Sequence, residues 1–344
     1  LQYTKPYRFL FLALGIGLVL LFLANLSLGS VNIPFKDVIQ TLAGGEAAKN
    51  SWEYIILNYR LPKAITAIIV GMGLSLSGLL MQTLFRNPLA GPYVLGLSSG
   101  ASLGVAFIIL GAGILPGFLG SIFISSYGII IAATLGSFAV LLAVLLVAQR
   151  LKDTMAILIV GLMFGSFTGA IVSVLTYFST AQQLQKFTFW AMGSLGSISW
   201  KNIAILAIVC FVGIILAAAC IKPLNALLLG ERYAKSLGIN FSKTRFIIIL
   251  ATSLLAGSIT AFAGPIAFIG LAVPHIVKLI FRTSNHLILF WGTLLCGAMI
   301  MLLCDTITQL PGSDLTLPIN AVTSIIGAPI VIWLLLRKRK GIYS

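Results

Sequence analysis

Runs of about twenty apolar residues, closed at their ends by Lys and Arg, recur along this chain and exclude a water-soluble fold. A bilayer core about 30 Å thick needs about 20 apolar residues per crossing helix. Ten such runs are read, at 9–29, 61–84, 93–112, 126–149, 155–178, 202–221, 245–263, 265–281, 286–306 and 317–336. In hydrocarbon the backbone must pair with itself, which leaves helices or closed barrels. Barrel strands would alternate apolar and polar residues; these runs do not. The predicted class is therefore all-α, with about ten transmembrane helices, and residues 1–344 read as a single membrane domain. Composition agrees: 59% of residues are hydrophobic and 8% are charged, against about 25% charged in soluble domains. The eighth run is the shortest, and Gly264, Pro265, Gly270 and Pro274 interrupt it. Such a helix is tolerated where protein or a cavity surrounds it. The first run, after Lys5 and Arg8, lacks a small-x-small cleavage site and reads as a retained span.

The net charge of +15 would suggest nucleic acid in a soluble protein. Here the basic residues sit at the ends of apolar runs, where they set topology, so no nucleic-acid partner is expected. With the N-terminus inside, about 16 Lys and Arg fall on the inner side and about six outside, namely Lys36, Lys49, Arg60, Lys63, Lys186 and Lys201. An even number of spans then puts both termini in the cytoplasm. Trp52, Trp190 and Trp200 fall near the outer interface, as aromatic belts do. Cys210, Cys220, Cys296 and Cys304 show no metal-ligand spacing and read as small apolar packing residues.

Three connections are unusual. The outer loop 30–59 contains an interfacial-helix pattern at Pro34–Leu42. The outer segment 179–201 is too apolar for a plain loop. The inner segment 222–244, KPLNALLLGERYAKSLGINFSKT, has the pattern of two short amphipathic helices broken at Gly230 and Gly238. Leu227, Leu228, Leu229 and Leu237 would leave apolar surface in water there unless a partner covers them. There is also an internal echo, AGPYVLGL at 90–97 and AGPIAFIGL at 263–271. On this topology the two lie at opposite membrane faces, and inverted repeats are common in transporters.

Catalytic chemistry is nearly absent from the sequence. There are seven acids and two histidines. No two acids share a helical face inside a span, whereas proton- or sodium-coupled carriers usually place ionisable groups at membrane depth. No Gly-x-x-x-x-Gly-Lys-Ser/Thr loop or His-Glu-x-x-His motif occurs. His275 and His286 read as packing and interfacial residues. Small residues are the positive signal: Gly71, Gly73, Ser75, Ser77 and Gly78 in the second span, and Gly161, Gly165, Ser166 and Gly169 in the fifth. They permit close helix packing, and with so few charges they also suit a wide neutral path for a bulky solute.

Seven segments in order resemble the ATP-binding-cassette importer permeases for iron chelates, haem and vitamin B12. They are RLPK at 60–63, GLLMQTLFRNPLAGPYVLGLSSGA at 78–101, ILIVGLMFGSF at 157–167, FWAMGSLGSISW at 189–200, LLLGERYAKSLGI at 227–239, GPIAFIGLAVPHIVKLI at 264–280 and LPINAVTSIIGAPIVIWLLL at 317–336. The likeness spans essentially the whole chain. It implies a type II importer permease in a bacterial inner membrane, non-catalytic and without a cofactor of its own. The implied partners are a second permease copy, two cytoplasmic ATPase subunits that bind ATP and Mg, an outer substrate-binding protein and membrane lipid. It also implies an ATPase-coupling segment carrying Leu227, Leu228, Leu229, Gly230, Glu231, Ala234, Leu237 and Gly238. Arg60 and Lys63 match the positions where outer basic residues meet acids of the binding protein, Lys losing the planar fork of Arg. A further outer Arg and a Glu of the family are replaced here by Gln309 and Thr316. The gate and translocation path are expected at Thr154, Met155, Gly161, Gly165, Gln82 and Asn87. An ion-coupled secondary transporter and an oxyanion importer of the molybdate type are the alternatives. Nothing in the sequence reads out the substrate.

Overall fold

The computed structural model describes residues 7–111, 126–151, 154–196, 198–309 and 315–340. Among the described residues every regular element is helical. Seven helices of 20 to 35 residues are apolar enough to cross a membrane, and three shorter apolar helices accompany them, Leu97–Ile109, Ile269–Phe281 and Ile319–Trp333. Each of these ten overlaps one of the ten apolar runs of the sequence. Contacts divide the chain into two compact units.

The first unit comprises Leu1–Leu79, Ser194–Ala207 and Ala267–Ser344. It begins with α1 (Tyr7–Ser27), followed by two short helices, α2 (Phe35–Leu42) and α3 (Asn50–Ile55). A π-helical turn at Ile56–Arg60 then leads straight into α4 (Leu61–Leu84). Such wide turns are uncommon and recur at functional sites. Small residues let the helices of this unit approach closely. A Cβ on Gly71 would overlap the Gly297 carbonyl, and one on Gly78 would overlap the Gly270 carbonyl. Gly71 and Gly78, two of the small residues read from the second span, thus serve backbone-to-backbone packing.

The second unit comprises Leu80–Gly193 and Ile208–Ile266. Its third apolar run is not one span. Pro92–Leu95 forms a 3-10 turn, Gly96 takes a left-handed conformation (φ 77°), and only then does α5 (Leu97–Ile109) begin. α5 packs on α6 (Ser126–Arg150) through glycines: a Cβ at Gly100, Gly104 or Gly136 would run into the opposite backbone. Ala101, Val105, Ala106, Ile109, Leu110, Ala133 and Ala261 form a buried core beside that crossing. α7 (Thr154–Tyr177) follows, then α8 (Ala181–Ala191), the helix that makes segment 179–201 more than a loop. A reciprocal capping box starts α8: Gln183 N–H donates to Thr180 Oγ1, and Thr180 N–H donates to Gln183 Oε1 at 2.9 Å.

The two Ala-Gly-Pro segments each precede a 13-residue helix, α5 and α13 (Ile269–Phe281). Each helix is entered through a left-handed residue, Gly96 in one case and Phe268 (φ 65°) in the other. The echo is thus real in local structure. Its apparent Gly match is not, because Gly270 lies inside α13. The remaining helices are α9 (Trp200–Ala219), α10 (Ile221–Leu228), α11 (Glu231–Ser236), α12 (Phe241–Ala263), α14 (His286–Thr308) and α15 (Ile319–Lys340).

Candidate docking corner and coupling segment

At the start of α4, the π turn presents Arg60 to the end of α1. The last carbonyls of a helix have no partner within it, and a cation is favourable at that negative end. Arg60 supplies both needs. Its Nη1 donates to Leu26 O at 2.6 Å and to Ser27 O at 2.8 Å, and its Nη2 donates to Val31 O. Only 6% of the residue is exposed. The guanidinium sits on this subunit's own backbone rather than out in solvent.

Lys63, three residues on, is engaged as well. Its Nζ lies 3.0 Å from Asp305 Oδ1, and the carboxylate is fully buried near the end of α14. The contact is an ion pair without hydrogen-bond alignment, since Oδ1 accepts no hydrogen bond. The other oxygen, Oδ2, accepts from Asn25 Nδ2 at 2.9 Å and from Gln309 Nε2 at 3.1 Å. Gln309 therefore has a structural use at the place where the family resemblance implies Arg. Thr316 is exposed. Asp305 and Asn25 were not singled out from sequence as site residues. The available signal was the rule that an acid at membrane depth has a partner.

At the other candidate site, α10 and α11 are the two short helices expected for segment 222–244, broken where expected. Gly230 (φ 113°) separates them, and Gly238 (φ 78°) ends the second. No neighbour crowds either glycine, so backbone conformation alone requires them. Leu227 and Ala234 are buried in a small core with Ala226, against which Ile239 and Phe241 pack. Leu228, Leu229, Tyr233 and Leu237 are 51%, 66%, 51% and 57% exposed. The coupling residues expected from sequence thus divide into two that hold the segment together and three that form an apolar outer face. Glu231 begins α11, and its side chain lies outside the described residues.

Thr154 and Met155 open α7, and their side chains likewise lie outside the described residues. Gly161 packs against the backbone of Val94 and Leu95, a Cβ added to Gly165 would lie 3.4 Å from Ser99 Oγ, and Gly169 faces open space. Gln82 is buried, whereas Asn87 is half-buried and its Oδ1 accepts from Leu89 N–H. Among the described residues no three His, Cys, Asp or Glu come together as metal ligands.

Comparison with known proteins agrees with this arrangement. The FecCD transport family matches residues 17–337. The hemin transport system permease HmuU of Yersinia pestis is 35% identical over 328 residues, covering 95% of this chain and 96% of that one. The vitamin B12 import system permease BtuC of Klebsiella pneumoniae is 36% identical over 346 residues, covering 98% and 96%. A solved transporter described as of metal-chelate ABC type, in an inward-facing conformation, superposes with a TM-score of 0.83 at 29% identity. It covers 96% of this chain and 99% of that one. With the family model matching residues 17–337 and relatives 35–36% identical over nearly the whole length, the chain belongs to the FecCD transport family.

Proposed function

We propose that this chain is the membrane permease of an ATP-driven importer for a metal chelate, haem or corrinoid. It works as a homodimer with two cytoplasmic ATPase subunits and an outer substrate-binding protein, in a bacterial inner membrane with both termini inside. The ATPase partners bind ATP and Mg and carry out hydrolysis; the permease forms the path. One observation carries the reading. An apolar face of Leu228, Leu229, Tyr233 and Leu237 stands on a segment braced from within by Leu227 and Ala234. A soluble partner subunit would cover such a face. Membership of the family and the names of the relatives support the substrate class.

The outer corner around Lys63 is the proposed docking surface. Arg60 fixes the corner by closing the end of α1, and Lys63, 20% exposed, offers charge to an acid of the docking protein. Exposed pairs are worth about 0.2–1 kcal/mol, so charge there acts chiefly on encounter and orientation. The path is proposed to be neutral, lined by Gly161, Gly165, Gln82 and Asn87, with the gate at Thr154 and Met155.

The test is reconstitution of the permease with its ATPase and binding-protein partners in liposomes. Hemin, cyanocobalamin and a ferric siderophore serve as probes. Uptake of one of them that requires ATP is expected. Uptake driven by a proton or sodium gradient without ATPase subunits would replace this reading with a secondary transporter.

A further inference from the structure

α4 ends in an unusual way. Arg86 N–H donates to Thr83 O at 3.3 Å, and Asn87 N–H donates to Gln82 O at 3.2 Å. That is a Schellman ending, in which Gly is the common left-handed residue. Here the left-handed position is held by Arg86, at φ 47°. α11 ends in the same motif, with Gly238 N–H to Lys235 O and Ile239 N–H to Ala234 O, and uses the usual Gly. A side chain kept in a disfavoured conformation points to a use for that side chain. The Arg86 guanidinium supplies one. Its Nη2 donates at 3.0 Å to Leu227 O, in the last turn of α10. The same carbonyl accepts from Gly230 N–H at 3.1 Å, so Arg86 grips the joint between α10 and α11.

A second arginine makes a parallel link. Arg245, in the first turns of α12, donates through Nη1 at 3.2 Å to Leu151 O, just past the end of α6. Its guanidinium carbon lies 5.9 Å from the Phe241 ring, and Phe241 packs on the Leu227–Ala234 core. The α10–α11 segment is therefore tied directly to the turn 85–91 after α4 and, through Phe241 and Arg245 of α12, to the connection after α6 that leads to Thr154. Both ties use an arginine on a helix-terminal carbonyl, where cations are favoured.

We infer that Arg86 and Arg245 are positioning residues that carry movement of the α10–α11 segment to these two connections. They would make the path respond to the ATPase. This rests on the importer reading. Neither residue touches solute or nucleotide; each acts through a backbone carbonyl.

The experiment uses the reconstituted complex with Arg86→Met and Arg245→Met, which keep bulk and lose the donors, and with Arg86→Lys and Arg245→Lys. The first readout is solute imported per ATP hydrolysed. Each Met variant should lower this ratio at least tenfold, and each Lys variant should restore most of it. A merely structural role would lower the amount of complex and leave the ratio unmoved. The second readout is amide hydrogen exchange with and without ATP. Arg86→Met should abolish the nucleotide response in 85–91 while the first turn of α7 still responds. Arg245→Met should do the reverse. An unchanged ratio, or normal responses at both places in both variants, overturns the inference. If a Met variant does not assemble, its Lys variant is judged by exchange alone, and a response lost despite the restored donor counts against the proposal. If the wild-type complex imports none of the probes, the importer reading fails, and the exchange pattern still decides whether the two arginines transmit movement.

Discussion

A buried carboxylate tolerates few changes around it, and Asp305 is met by three side chains: Lys63, Asn25 and Gln309. Removing one member of a buried pair costs about 3–5 kcal/mol, whereas replacing both can be nearly neutral. Lys63→Met should therefore lower the melting temperature of the purified permease sharply. Adding Asp305→Asn should recover most of the loss; equal instability of single and double variants would show that the pair is not what holds this corner. Charge reversal at Arg60 and Lys63 consequently does not isolate docking, because it also unseats the α1 end and strands Asp305. The identity of these partners was not legible in the sequence. Spacing places Arg60 and Lys63 on one helix face, but it cannot say that both reach partners distant in the chain. Glycine packing gives a cleaner contrast at this scale. A methyl on Gly78 meets the Gly270 carbonyl, while Gly169 faces open space. Gly78→Ala should destabilise by about 1–3 kcal/mol, and Gly169→Ala should be neutral or slightly stabilising, since Ala favours helix by about 1 kcal/mol. Similar melting temperatures for the two variants would refute the contact.

Among the elements, the α10–α11 segment was the most readable. Its two glycine breaks follow from sequence because a left-handed turn strongly favours Gly. The facing of its apolar residues did not follow. Six- and eight-residue helices are too short for a pattern to separate buried Leu227 and Ala234 from exposed Leu228 and Leu237. That division makes the element testable. Leu228→Asp and Leu237→Asp should leave the permease folded but weaken capture of the ATPase subunits at least tenfold, read by co-purification. Leu227→Asp should instead disorder the segment, because it places an unpaired charge in a core. Gly230→Pro should also uncouple the complex: proline needs φ near −65°, and it removes the N–H that meets Leu227 O. Normal ATPase capture by the Leu228 and Leu237 variants would move the contact elsewhere. Hydropathy missed two other features of the elements. The run 93–112 reads as one span because a 3-10 turn and a left-handed Gly leave no mark on average apolarity. The π turn before α4 is a change of hydrogen-bond register, which side-chain pattern does not report.

At the scale of the whole molecule, the ten apolar helices among the described residues were legible because hydrocarbon imposes one strict requirement, length without charge, on every crossing segment. Orientation rests on a weaker physical bias, the excess of Lys and Arg on the cytoplasmic side. About 16 basic residues against six give that bias a definite sign here, and the proposed orientation puts both termini inside. The structure supplies exposed positions at which to test it. Ser236, after the exposed face of α11, should be cytoplasmic, and Thr316, just before α15, should be outside. The native thiols should stay silent, since Cys210, Cys220, Cys296 and Cys304 are all buried. In spheroplasts, a membrane-impermeant maleimide should label Thr316→Cys at once. It should label Ser236→Cys only after the membrane is opened. The charge bias and the coupling role require the same side for Ser236, because an ATPase subunit can reach α10 and α11 only from the cytoplasm. Labelling of Ser236→Cys in sealed spheroplasts would therefore reverse the orientation and remove the ATPase contact from this segment together.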